Sequence, residues 1–192
     1  MLRILFVCTG NTCRSPLAEG LLRIKLQQEG LAAEVRSAGV SAAHGGPISR
    51  NSETLLREAG FSERLTSRGI GEEDVRWADV ILTMTFGHKR ALVQRFPGAV
   101  EKSYTLKEYV EDDPQVLEAI AERERLTSEL HVKRALAQSV TAEEQSRILL
   151  LEGRIPDYDI SDPFGGSLET YRETKAEIEQ SLDKLVRKLR ML

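Results

Sequence analysis

From Leu2 to Val7 the chain is nearly unbroken in apolar side chains, which predicts a strand buried on both faces of a parallel sheet. A polar stretch follows, and then the period changes. Leu17, Leu21, Ile24 and Gln28 recur at helical spacing, Leu22 and Leu26 widen the stripe, and Gly30 ends it. Ser15 is expected as the N-cap of this helix and Pro16 as its first residue. Gly20 within it predicts close packing against a neighbour. A second strand is expected over about Glu34 to Ser37, running on through Ala38 and Gly39. After a small-residue loop to Pro47, Ser49 or Asn51 starts a helix carrying Leu55, Leu56 and Ala59, stopped by Gly60. Glu72–Trp77 reads as a short helix and the run 78–84 as the clearest strand after the first. A helix through His88, Leu92 and Val93 ends near Pro97 and Gly98, and a fourth strand spans about Val100 to Thr105.

Strands alternating with helices predict an α/β fold with a parallel sheet covered on both faces. Right-handed crossovers favour four strands in the order 2-1-3-4, a flavodoxin-like three-layer sandwich. The loop after the first strand then lies at a switch point, where such sheets bind ligands. Near residue 112 the pattern alters. Asp113 and Pro114 open a helix, and residues 118–134 are highly charged with a sparse apolar stripe of Ile120 and Leu130. Thr141 to Glu144 is a capping box, and Gly153 ends the helix it begins. These features predict a helical hairpin inserted over about residues 112–156 into a single domain spanning 1–192. Its charges read as a solvated face, with an interaction surface as the sharper alternative. A polar loop from Asp157 to Gly166 leads to Ser167, the expected cap of a last helix. The face of that helix, Leu168, Tyr171, Ile178, Leu182, Leu185 and Leu189, is core packing.

Charge narrows the partners. Twenty-seven basic against 30 acidic residues give a net charge of -3, so nothing global attracts nucleic acid or an anionic membrane surface. The apolar start is too short for a signal peptide, and no stretch approaches about 20 apolar residues. Two cysteines and three scattered histidines (His44, His88, His131) form neither a disulfide framework nor a metal site. A cytoplasmic monomer without metal or cofactor is expected.

Any attraction for anions must be local, and one stretch supplies it. Cys8 ends the first strand, five residues separate it from Arg14, and Ser15-Pro16 opens a helix. A strand, a tight loop and a helix start make a ring of backbone N–H groups suited to an anion. The N–H groups of Thr9, Gly10, Asn11, Thr12, Cys13 and Arg14 can surround a phosphoryl group. Gly10 leaves room for its approach, and Arg14 can grip two of its oxygens. A thiolate at Cys8 can attack phosphorus, with the Ser15 hydroxyl donating to the sulfur. The absence of a Gly-Lys-Ser/Thr ending excludes a nucleotide-binding loop. Cys13 either fills space beneath the loop or serves as a redox partner, forming a reversible disulfide with Cys8. The leaving group needs an acid from another loop. Asp162 is the best candidate, since Pro163 fixes its backbone and Gly165-Gly166 leave room over the pocket. Asp157 and Asp159 read as solvated loop acids or helix caps.

These residues resemble the low-molecular-weight protein phosphatase family, and most closely its bacterial protein arginine phosphatase branch. The resemblance rests on residues 7–16, 36–40, 105–110 and 162–167, and covers about 1–111 and 158–192. It implies Cys8 as nucleophile, Arg14 as phosphate binder and Asp162 as general acid and base, with Asn11 and Ser15 supporting the loop. The partners it implies are phosphorylated proteins. Tyrosine-directed members carry an aliphatic residue where Thr12 stands and aromatic residues after the Asp-Pro. The hydroxyl of Thr12 and the bare Gly165-Gly166 suit a narrow, polar guanidino group instead, so Thr12 is the expected selectivity residue. The Ser41–Pro47 loop is expected at the pocket mouth.

The expected activity is therefore hydrolysis of phosphoarginine in proteins through a phosphocysteine. Phosphotyrosine hydrolysis on the same site is the alternative. Arsenate reduction needs a relay of further cysteines that the chain lacks beyond Cys13. A non-catalytic phosphoprotein reader is disfavoured by the pairing of Cys8 with Asp162.

Overall fold

A computed structural model describes residues 1–191. Residues 1–110 and 158–191 fall in one compact unit, and residues 111–157 form a second. In the first, four parallel strands lie in the order β2-β1-β3-β4. They are β1 (Leu2–Cys8), β2 (Ala33–Gly39), β3 (Val80–Thr83) and β4 (Ser103–Thr105). β1 is central because its side chains are apolar on both faces. Ile4 and Phe6 pack with helices α1 (Arg14–Glu29), α2 (Arg50–Glu58) and α8 (Leu168–Leu189), while Leu5 and Val7 pack beneath α3 (Glu72–Trp77) and α4 (Phe86–Arg95). All four are fully buried, worth about 1.5–3 kcal/mol each. The register sets Cys8 opposite Gly39 and Val7 opposite Thr83, so three strands end at one edge, beside the switch point.

Several predicted boundaries shift. α1 begins at Arg14, with Cys13 in the cap position and no side-chain cap, because the Ser15 hydroxyl is spent on the loop. Gln28 is exposed rather than packed, since the buried stripe runs through Leu17, Leu21, Leu22 and Leu26. Residues 97–102 wind into a 3₁₀ turn in which Ala99 is buried, leaving β4 only three residues. β3 starts at Val80 because Ala78 ends α3 and Asp79 is held at the sheet edge by Arg3. Other expectations hold. Gly20 lies where a Cβ would stand 2.5 Å from Leu56 Cδ2. Gly30 ends α1 with φ of 64°, and the hydroxyls of Ser49 and Ser167 cap α2 and α8. A single turn, α5 (Leu106–Tyr109), follows β4 under a Thr105–Glu108 capping box.

In the second unit α6 (Pro114–Ala135) and α7 (Ala142–Glu152) pack on each other through Ala119, Leu126 and Leu151, with Ile148 and Ile155 alongside. Ile120, expected in the stripe, is only half-buried; Ala119 and Leu126 take its place. Glu122 bridges Arg125 and Arg147, and Lys133 pairs with Glu144, tying the two helices at their surface. Thr141 and Glu144 form the expected capping box.

Candidate active site

Between the end of β1 and the start of α1 the chain must reverse within five residues. The bend falls at Asn11, whose φ of 52° lies in the left-handed region that a side chain enters at a cost. A fully buried carboxamide holds it there. Its Oδ1 accepts from the Arg68 backbone N–H at 2.9 Å, and its Nδ2 donates to Ser15 Oγ at 2.9 Å and Ser37 Oγ at 2.8 Å. Outer partners take the loop carbonyls. Val40 and Ser41 N–H donate to Cys8 and Thr9, Ser49 N–H to Thr12, and the Ser52 hydroxyl to Cys13. In a trans peptide N–H points opposite to C=O, so the N–H groups of Thr9, Gly10, Cys13 and Arg14 turn into the hollow of the loop. The N-terminus of the 16-residue α1 adds its dipole there. Gly39 permits this packing: a Cβ on it would meet Thr9 O at 2.4 Å and Asn11 N at 2.9 Å.

Cys8 lies buried at the base, its Sγ 3.0 Å from Ser15 Oγ. Because Ser15 accepts from Asn11, its own hydrogen is directed to the sulfur at 3.0 Å rather than to the Ala38 carbonyl at 3.5 Å. Arg14 is buried too. Nη1 donates to the Ile160 carbonyl at 3.1 Å, Nη2 lies 3.0 Å from Asp162 Oδ2, and Nε has no hydrogen-bond partner. An unpaired guanidinium N–H in a buried setting is costly unless a ligand accepts it. Asp162 is half-exposed and caps its own turn by accepting from Phe164 N–H at 3.2 Å. The loop that carries it is anchored. Ile160 N–H donates to Met84 O, Lys107 donates to Asp159 O, and Asp159 Oδ1 accepts from Phe86 N–H at the start of α4.

Cys8, Thr9, Gly10, Thr12, Cys13, Arg14, Asp162 and Phe164 line one cavity of about 230 Å³. Every expected site residue is on that wall or, like Asn11 and Ser15, directly behind it. No residue of the 41–47 loop is on the wall of that cavity, where the sequence placed it at the mouth: Gly45 and Gly46 bond to the backbone of Ser67 instead. Phe164, 80 % exposed, stands at the rim where the sequence suggested only bare glycines. The Cys13 thiol is 3.2 Å from the Tyr171 hydroxyl, whose phenol is pushed up chiefly by burial and then by Cys13 itself. His88 Nε2 is 2.8 Å from Thr9 Oγ1 and Nδ1 is 3.0 Å from Thr85 Oγ1. Sequence reasoning missed Phe164, Tyr171, His88, Ser37 and Arg68 as site residues. Of these only Phe164 and Ser37, inside the quoted motifs, carried a local signal. Among the described residues no group of three or more His, Cys, Asp or Glu could hold a metal ion, and no helix is long and apolar enough to cross a membrane.

Residues 3–123 match the family described as low molecular weight phosphotyrosine protein phosphatase. The chain is 37% identical to a protein-arginine-phosphatase from Geobacillus stearothermophilus over 97% of this chain and 95% of that protein. It is 32% identical to a low molecular weight protein-tyrosine-phosphatase, PtpB, from Staphylococcus haemolyticus, over 96% and 97% of the two chains. Among solved structures, a YwlE arginine phosphatase mutant with a phosphorylated active-site serine superposes with a TM-score of 0.73 at 32% identity, covering 98% of this chain and 96% of that one.

Proposed function

Since this chain belongs to the low molecular weight phosphotyrosine protein phosphatase family, we propose that it hydrolyses phosphoarginine in proteins through a phosphocysteine on Cys8. One observation carries the chemistry: Arg14, with an unpaired buried Nε–H, meets Asp162 at 3.0 Å in the cavity that Cys8 floors. The phosphoryl group enters the hollow, where loop N–H groups and Arg14 take its three equatorial oxygens. Arg14 thereby exchanges its contact with Asp162 for the phosphate. The Cys8 sulfur attacks phosphorus as the bond to the guanidino nitrogen breaks, and Asp162 delivers a proton to that nitrogen. Guanidine is too basic to depart as an anion, so this proton is essential. In the second half-reaction Asp162 takes a proton from water, the water oxygen attacks phosphorus, and the Cys8 thiolate departs with help from the Ser15 hydroxyl. Cys13, whose thiol lies 3.2 Å from the Tyr171 hydroxyl, either fills space beneath the loop or, with a peroxide as the two-electron oxidant, joins Cys8 in a reversible disulfide.

The Thr12 hydroxyl on the cavity wall and the arginine-phosphatase relative support the guanidino substrate. Phosphotyrosine is the second reading, favoured by the exposed ring of Phe164 at the rim, which a phenol could pack against. Residues 1–192 act as one phosphatase domain with an insertion at about 112–156. The same reading takes the protein as a cytoplasmic monomer acting on phosphorylated proteins. Turnover on matched phosphoarginine and phosphotyrosine peptides tests the reading. A higher kcat/KM on phosphoarginine is expected, and a preference for phosphotyrosine overturns it.

A further inference from the structure

His88 takes no part in the chemistry above, yet it is buried against the phosphate loop, at the first turn of α4. Both ring nitrogens are engaged, Nδ1 with Thr85 Oγ1 at 3.0 Å and Nε2 with Thr9 Oγ1 at 2.8 Å. Which nitrogen carries the proton follows from Thr85. As the N-cap of α4, its oxygen already accepts the His88 backbone N–H at 3.2 Å. Its oxygen has a second lone pair, but Nδ1 is the one acceptor in reach of its hydrogen among the described contacts, and we take that hydrogen to be donated there, which leaves the ring proton on Nε2. Nε2–H donates to Thr9 Oγ1. The Thr9 hydrogen is consequently not used by His88 and is left for an acceptor in the cavity, whose wall Thr9 shares with Cys8 and Arg14.

We propose that His88 orients the Thr9 hydroxyl as an additional donor to the phosphoryl group, which makes His88 a positioning residue for the transfer. The inference rests on the phosphatase reading of the site, and not on which phosphorylated residue it takes. In the neutral ring the tautomer decides the direction: an Nε2–H donates to Thr9 Oγ1, whereas an Nδ1–H would leave Nε2 to accept the Thr9 hydrogen. Burial, and next the Arg14 guanidinium, hold His88 down to about 4, against the smaller opposing pull of Asp162 and Asp159. The ring is therefore neutral at physiological pH. A histidine serving only as packing for α4 would satisfy its nitrogens without making Thr9 matter to the reaction.

The experiment is a double-mutant cycle read as kcat and KM on a phosphoarginine peptide and on para-nitrophenyl phosphate, with ring-nitrogen NMR of the wild type. Thr9→Val and His88→Leu should each lower kcat roughly ten- to hundredfold with little change in KM, as loss of one donor to a developing charge does. The double variant should be no worse than either single one. Thr9→Ser should recover most of what Thr9→Val loses, and His88→Gln most of what His88→Leu loses, since its amide N–H can donate to the same oxygen. The NMR should report the Nε2–H tautomer. Additive losses, an inert Thr9→Val, or an Nδ1–H tautomer would each overturn the proposal. If His88→Leu does not fold, Thr9→Val against Thr9→Ser and the tautomer still decide it. A parent enzyme that hydrolyses para-nitrophenyl phosphate but not phosphoarginine sinks the substrate reading alone.

Discussion

Within the phosphate loop, single side chains divide between those that react and those that hold them still. Thr12 belongs to neither group. Its hydroxyl lies on the cavity wall 3.5 Å from the Cys13 thiol, an edge a guanidino group can hydrogen-bond and a phenyl ring cannot. Thr12→Ile should therefore move the kcat/KM ratio toward phosphotyrosine by about tenfold or more, since one unpaired guanidino N–H costs about 1–3 kcal/mol. An unchanged ratio on the two peptides would remove the selectivity role given to Thr12. The residues proposed to react stand out in the sequence because their signal is spacing: Cys8, five residues, Arg14, and a proline-fixed Asp162. Asn11 and Ser15, inside the same motif, were legible as supports, but the more distant ones were not. Arg68 reaches Asn11 across 57 positions, His88 reaches Thr9 across 79, and Tyr171 reaches Cys13 across 158. Bonds of that separation leave no periodicity or motif, and only the folded chain brings them together.

At the level of elements, β1 and α1 form one device whose tight corner depends on β2. Gly39 ends β2 directly under the loop, with space for no side chain between Thr9 O at 2.4 Å, Ala42 Cβ at 2.7 Å and Asn11 N at 2.9 Å. Two of these are backbone atoms of the phosphate loop, so a methyl group cannot be absorbed by a rotamer change. Gly39→Ala should destabilise the fold by about 1–3 kcal/mol, the usual cost of overpacking. It should also lower kcat more than that loss alone explains, because the loop N–H groups move. Chemical denaturation with kinetics on the folded fraction measures both; full activity in the folded fraction would contradict the geometry. Strand and helix positions were readable wherever burial is continuous or a cap is local, as at β1, Gly30, Ser49 and Thr141. The start of β4 was not, because burial of Ala99 and the 3₁₀ turn at 97–102 override its apolar pattern. The cap of α1 was also misplaced, since Ser15 serves the sulfur instead of the helix end.

For the molecule as a whole, the switch point of the sheet gathers the site from β1, α1, the β3–α4 corner and the loop before α8. Stability and function are thus coupled through His88. In the folded protein its pKa is about 4, below the ordinary 6.5, while the unfolded chain titrates normally. Above 6.5 both states leave the ring neutral, and the histidine contributes no pH dependence. Between about 6.5 and about 4 the unfolded state binds a proton that the folded state refuses, so stability is lost as pH falls. The groups facing the ring are Arg14, which deepens this loss, and Asp162 and Asp159, which oppose it. Relative to His88→Gln, the wild type should lose about 2 kcal/mol across that window once the part of the ring reached by solvent is allowed for. Parallel denaturation curves for the two proteins from pH 7 to pH 4 would contradict it.

Central to the account is a covalent bond between phosphorus and the Cys8 sulfur, released by the carboxylate of Asp162. Rapid quenching of the wild type within its first turnovers on a phosphoarginine peptide, followed by mass spectrometry of its peptides, tests this directly. The expected result is phosphate on Cys8, absent from Cys8→Ala treated identically. Arginine released in the first turnovers with phosphate found on no residue of the wild type, or peptide hydrolysis by Cys8→Ala at the wild-type rate, would contradict it.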